Sequence, residues 1–146
     1  GVLKKGLNEI PFLKQIVQCT HSYPMDREDV RQSMKVIQSV TKELQDGRTI
    51  IIFPEGTRSK NGNQMGEFHA GSFKCATKAK APILPFAFID SFKVLDEDGC
   101  HPLVVQLHYL EPIYYEEYKD LKTNEIAALV KSRIAEVIEK NTESAS

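Results

Sequence analysis

Thr49-Ile50-Ile51-Ile52-Phe53 is a run of five β-branched or apolar residues that stops at Pro54. No other segment constrains the fold as tightly. Such a run reads as a strand buried on both faces, and Pro54, which has no N–H to give, cannot extend a central ladder. A strand of that kind needs cover on each side. The segments around it supply candidates: Val30, Met34, Ile37, Val40 or Thr41, and Leu44 recur at helical spacing over Asp29 to Gln45, with Asp26 or Asp29 to cap the start and Gly47 placed for a left-handed end.

Further along, Gly56 to Gly66 is rich in Gly, Asn, Ser and Lys and predicts a loop, Ala70 to Ala79 a short helix, and Ile83 to Ile89 a second buried strand. Gln15 to Thr20 and Leu103 to Tyr109 are shorter strand candidates. Asp96 to Gly99 reads as a turn, and Pro112 to Lys122 as irregular. From Thr123 to Lys140, Ile126, Leu129, Val130, Ile134, Val137 and Ile138 define one helical face, and residues 141–146 are polar enough to fray. Helices alternating with buried strands predict an α/β fold with a mixed, largely parallel sheet flanked by helices.

With 146 residues and 41% hydrophobic content, one core of ordinary size is expected. The formal net charge of -1 argues against a nucleic-acid binder working through a general basic surface, so an anion site must be local. Cys19, Cys75 and Cys100 are odd in number and widely spaced, which suggests neither a disulfide framework nor a metal site. No apolar run reaches the roughly 18 residues needed to cross a bilayer. Residue 1 is Gly, and the start is expected to be cut.

In such sheets chemistry collects where strands end, which directs attention to Phe53-Pro54-Glu55-Gly56-Thr57-Arg58-Ser59. A guanidinium can fork onto phosphate oxygens, Thr57 can donate a further hydrogen bond, Gly56 permits close backbone approach, and Glu55 can accept from a sugar-alcohol hydroxyl or hold Arg58. The plain alternative is a surface turn in which Glu55 and Arg58 pair with each other, worth 0 to about 1 kcal/mol if exposed.

Phe53 to Ser59 resembles the FPEGTRS signature of the glycerol-phosphate and lysophospholipid acyltransferases. Leu7 to Leu13 with Pro11, then Met25-Asp26-Arg27, is similar to the stretch before that family's second motif, and Ala81-Pro82-Ile83-Leu84-Pro85 to its fourth. The phosphate-binding pattern K-x2-L-x6-G-x12-R is matched at Lys4, Leu7 and Arg27, with Lys14 in the glycine position. The resemblance implies that residues 1–140 are the C-terminal portion of an acyltransferase domain lacking its N-terminal part. Lys4, Arg27 and Arg58 would hold the acceptor's phosphate, Glu55, Gly56 and Thr57 its glycerol end, and Pro82 would shape the site.

The implied reaction is acyl transfer from a thioester, of coenzyme A or acyl carrier protein, to the free hydroxyl of 1-acylglycerol 3-phosphate (lysophosphatidic acid), with no further cofactor and no metal. The family's base is a histidine in Asn-His-x4-Asp, expected upstream of Gly1. His21 and Asp26 also have H-x4-D spacing, but Thr20 replaces the Asn and Pro24 interrupts the intervening turn, so a loop histidine is favoured there. His69, His101 and His108 lack partners at ligand spacing, and Phe86, Phe88 and Phe92 read as core. The partners implied are lysophosphatidic acid, the acyl donor and a membrane surface. Attachment would be to the cytoplasmic side, peripheral or through the missing part. The alternative is a lysophospholipid- or phosphate-binding module without a base.

Overall fold

The structure, a computed structural model, describes residues 2–4, 23–25, 30–57, 59, 61–96 and 102–143; of residues 2–4, 23–25, 30, 95, 96 and 143 it describes the backbone alone. Strand β1 (Val2–Lys4) pairs in parallel with β2 (Tyr23–Met25), Val2 opposite Tyr23 and Lys4 opposite Met25. Helix α1 (Val30–Gln45) comes next. It ends as its sequence asks: Gly47 takes φ 81, and the Arg48 N–H returns to the Glu43 carbonyl at 2.9 Å, a left-handed cap that closes the last turn. The candidate caps Asp26 and Asp29 and the strand candidate Gln15 to Thr20 lie outside the described residues.

A 3-10 turn (Ala70–Phe73) runs directly into α2 (Lys74–Ala79), so the expected helix over Ala70 to Ala79 begins in a tighter winding. Strand β3 (Phe86–Ile89), helix α3 (Lys93–Asp96), strand β4 (Gln106–Tyr109), helix α4 (Tyr115–Tyr118) and helix α5 (Thr123–Glu143) complete the order. Strands β3 and β4 are antiparallel, with Phe86 opposite Tyr109 and Ile89 opposite Gln106, and the bridge Ile83 to Ile113 prolongs their pairing. The stretch Pro112 to Lys122, expected to be irregular, holds the short α4. Helix α5 continues three residues past its expected end, to Glu143.

The α/β composition is as expected, but the largely parallel sheet is not formed among the described residues. They make two separate two-stranded sheets, one parallel and one antiparallel. The difference centres on Thr49 to Phe53, which belongs to no ladder among the described residues. Its side chains alternate as in a strand: Ile50 and Ile52 pack on the cluster of Val36, Val40 and Cys75, while Ile51 and Phe53 stay 53% and 52% exposed. An apolar run predicts burial only if something lies opposite each face, and here α1 and α2 cover one.

The main core lies between α5 and the β3–β4 sheet. Ile126, Ala127, Val130 and Ile134 of α5 meet Phe73, Ala87, Ile113 and Tyr118, with Leu129, Val137 and Ile138 half-buried at its rim. Thus α5 buries the face its sequence predicts. Helix α1 is rotated from expectation, because its contact with α2 is made by Val36, Val40 and Leu44, leaving Met34 at 56% exposure. Ala87 and Ile89 point inward, so Phe86 and Phe88 turn outward on the other side of the same pleat. Phe88 is 41% exposed and Phe86 half-buried, correcting their reading as core. Cys75 is buried and its thiol is pushed up in pKa by that burial. Cys19 and Cys100 lie outside the described residues.

Candidate functional site

The chain leaves Phe53 through a turn in which Pro54 takes the second position, where its fixed φ is favourable, and the Gly56 N–H closes onto the Phe53 carbonyl at 3.1 Å. Gly56 has φ 65, a left-handed conformation that an L side chain would strain. Beyond the turn the chain forms a loop closed upon itself. Glu55 Oε2 accepts the Gly66 N–H at 2.6 Å, and the Ser59 hydroxyl donates to the Gln64 carbonyl at 2.6 Å while accepting the Asn61 N–H at 3.2 Å. The absence of a side chain at Gly66 matters, since a Cβ there would stand 3.1 Å from Glu55 Oε2.

Between those two rungs the sequence reads Gly56, Thr57, Arg58. Glu55 is half-buried and Thr57 exposed. The Glu55 carboxylate therefore closes the loop by taking a backbone N–H, a charge-assisted bond. The base of the loop is joined to the start of the 3-10 turn, where the His69 N–H donates to the Pro54 carbonyl at 3.0 Å.

Arg58 and Arg27 lie outside the described residues, as do His21, Asp26 and His101. Lys4 is described in its backbone, paired with Met25, two residues before Arg27 in sequence. Parallel neighbours stand roughly 4.8 Å apart, so the register brings the Lys4 backbone alongside the segment that leads into Arg27. Pro82 is exposed and precedes the Ile83 to Ile113 bridge. Pro85 is buried, and its carbonyl accepts the Leu110 N–H at 3.0 Å.

The described histidines have no carboxylate partner among the described residues: His69 is exposed, and His108 shares a 2.9 Å hydrogen bond with the Gln106 side chain. Nor, among those residues, do three or more His, Cys, Asp or Glu gather as a metal would require. No described helix is long and apolar enough to cross a membrane.

Sequence reasoning missed one feature of the loop. Asn63 and Asp90, 27 residues apart, are joined by two hydrogen bonds. Asn63 donates to Asp90 Oδ1 at 2.9 Å and accepts the Asp90 N–H at 2.8 Å, tying the loop to the end of β3. Neither residue sits in a motif, and no local pattern signals the pairing. The Asn63 amide, followed by the Lys93 ammonium 3.0 Å away, holds the Asp90 carboxyl below its ordinary pKa.

Comparison with known proteins bears on the same stretch, for the acyltransferase family profile matches residues 1–89. A 1-acyl-sn-glycerol-3-phosphate acyltransferase from Helicobacter pylori is 30% identical over 129 residues, covering 82% of this chain and 54% of that protein. The enzyme of the same name from Escherichia coli is 30% identical over 139 residues, covering 92% of this chain and 56% of that protein. The crystal structure of the 1-acyl-sn-glycerophosphate acyltransferase PlsC from Thermotoga maritima superposes with a TM-score of 0.77 at 23% identity, over 97% of this chain and 56% of that one. The chain thus spans about half the length of these relatives and shares the fold of the solved one. On the profile match over residues 1–89, and the loop geometry within it, the chain belongs to the acyltransferase family.

Proposed function

We propose that this chain carries the acceptor-binding portion of a 1-acylglycerol-3-phosphate acyltransferase. The observation that carries the reading is the closed loop after Phe53, in which left-handed Gly56 and exposed Thr57 lie between two hydrogen-bonded rungs. A loop pre-ordered in this way presents donors without the entropy cost of collecting them on binding. Arg58 would fork onto the phosphate, with Lys4 and Arg27 supplying further charge and Thr57 a hydroxyl. Each charge-assisted bond is worth about 1.5 to 3 kcal/mol. Relatives bearing the name 1-acyl-sn-glycerol-3-phosphate acyltransferase support the substrate class.

In the reaction, a general base removes the proton of the acceptor's free hydroxyl. Its oxygen attacks the carbonyl carbon of the acyl thioester, the C–S bond breaks, and the thiol leaves with the proton. Coenzyme A or acyl carrier protein would be the carrier. The family's Asn-His-x4-Asp arrangement does not occur in these 146 residues, and His69 and His108 have no carboxylate partner among the described residues, so we assign the base to another part of the complete enzyme. On the same ground the 146-residue polypeptide is expected to bind acceptor and to transfer little or no acyl group. The second reading, a phosphate-binding module without catalysis, has the same loop chemistry and differs in whether a base is ever supplied.

The two are separated by kinetics in a complete enzyme that includes the upstream part. Arg58→Ala should raise the KM for 1-acylglycerol 3-phosphate by roughly tenfold or more, or abolish turnover. Unchanged kinetics would remove Arg58 from the site. Absence of any transfer by the unsubstituted complete protein would favour the binding module. Because acceptor and product are amphiphiles, work at the cytoplasmic surface of a membrane is part of the proposal.

A further inference from the structure

The loop from Pro54 to Gly66 is internally closed by the Glu55 to Gly66 and Ser59 to Gln64 bonds. A closed loop of this sort moves as a unit, so what decides its orientation is how it is attached. At its base the Pro54 carbonyl accepts the His69 N–H at 3.0 Å. Its far arm is attached through Asn63, whose amide makes the reciprocal pair with Asp90 at 2.9 and 2.8 Å. Two separated attachments stop rotation about either one.

The far attachment is built with some care. Asp90 has φ 64, a left-handed conformation unusual for a residue other than glycine, and such strain persists where the surroundings over-determine it. Both of its carboxylate oxygens are engaged, Oδ1 by Asn63 and Oδ2 by Lys93 at 3.0 Å. Beside it, Gly62 has φ 61, a left-handed conformation that suits glycine, and lies next to the Phe92 ring, which a Cβ would meet at an ordinary contact distance of 3.6 Å. The end of β3 is thereby shaped to receive this arm of the loop.

We propose that Asn63 and Asp90 are positioning residues, whose reciprocal hydrogen bonds hold the arc of Glu55, Gly56, Thr57 and Ser59 at a fixed angle to the end of β3 for acceptor binding. The inference rests on the reading of that arc as the phosphate site. It makes loop order and phosphate affinity depend on an amide that touches no substrate.

The test uses the 146-residue chain with two readouts: amide hydrogen exchange, and titration with 1-acylglycerol 3-phosphate below its micelle concentration. Asn63→Ala should speed exchange at Gly56 and Gly66 and weaken binding by roughly tenfold, with exchange in α5 and the melting temperature near those of the unsubstituted chain. Asp90→Asn keeps an acceptor at Oδ1 and the backbone N–H, and should retain most of the affinity. Asn63→Asp, which sets a second carboxylate against the first, should be worse than Ala. Exchange and affinity both unchanged in Asn63→Ala would overturn the inference. So would a loss equal in Asn63→Ala and Asp90→Asn and accompanied by a lowered melting temperature, which marks a merely structural role. Arg58→Ala run in parallel separates the two claims. If it leaves affinity intact, or the unsubstituted chain binds nothing, the phosphate reading fails, and exchange alone decides whether Asn63 fixes the loop. If it weakens binding while Asn63→Ala does neither, the positioning claim fails and the phosphate reading stands.

Discussion

Gly56 and Tyr118 show how much single residues decide here. At Gly56, φ 65 is open to glycine and costs an L residue about 1 to 2 kcal/mol. Gly56→Ala should therefore lower stability by about 1 kcal/mol in denaturant melts, with the loop after Phe53 the first part to open. Tyr118 is fully buried and donates to the carbonyls of Ala76, at 3.2 Å, and Ala81, at 2.5 Å, joining α4 to the end of α2. Burial, aided by the neighbouring Tyr115, Cys75 and Glu116, pushes its phenol up to about 12. An unfolded tyrosine titrates near 10. The folded state thus holds this proton more tightly, and the associated stability is complete below about pH 10 and lost as pH rises toward 12. Tyr118→Phe should cost about 1 to 2 kcal/mol at neutral pH, by leaving Ala81 short of a donor. Melts at pH 8 and 11 should show a smaller alkaline loss than in the unsubstituted chain. The turn at Glu55 and Gly56 was readable because a proline and a glycine after an apolar run announce one. The Asn63 to Asp90 pair was not, since it joins residues that become neighbours only once β3 is folded.

Among the elements, α5 was the most legible, because its apolar spacing is long and its partner surface is fully present. Ile126 is 0% exposed, and Ile126→Ala should cost about 2 to 5 kcal/mol of stability, measured as a shift in denaturant midpoint. Met34→Ala, at 56% exposure on the face of α1 that periodicity alone would bury, should change stability by less than about 0.5 kcal/mol. That contrast between two helices of similar pattern has a simple origin. Periodicity gives the width of an apolar stripe, while the neighbour, here Cys75 of α2, selects which edge of the stripe is covered. The same reasoning explains Thr49 to Phe53. Its extended, apolar character was legible but its one-sided burial was not, because a ladder and a second cover depend on chain segments remote in sequence. The β3–β4 pairing was half legible: both strands were expected, but their antiparallel sense comes from the return through α3.

At the scale of the molecule, the described residues form two packed regions of different character. On one side is the core of α5 and the antiparallel sheet; on the other, the parallel pair β1–β2 with α1 and α2. The proposed phosphate site would combine Lys4, at the end of β1, with Arg27 and Arg58. The most direct measurement is a double-mutant binding cycle on the 146-residue chain, titrated with 1-acylglycerol 3-phosphate and, as control, with phosphate-free 1-acylglycerol. If the two guanidinium groups share one phosphate, Arg27→Ala and Arg58→Ala should each weaken binding of the phosphorylated ligand by roughly tenfold or more. The double substitution should fall short of the product of the two, and the control should respond to neither. Losses that multiply independently, or a silent substitution at either arginine, would contradict a single shared phosphate site.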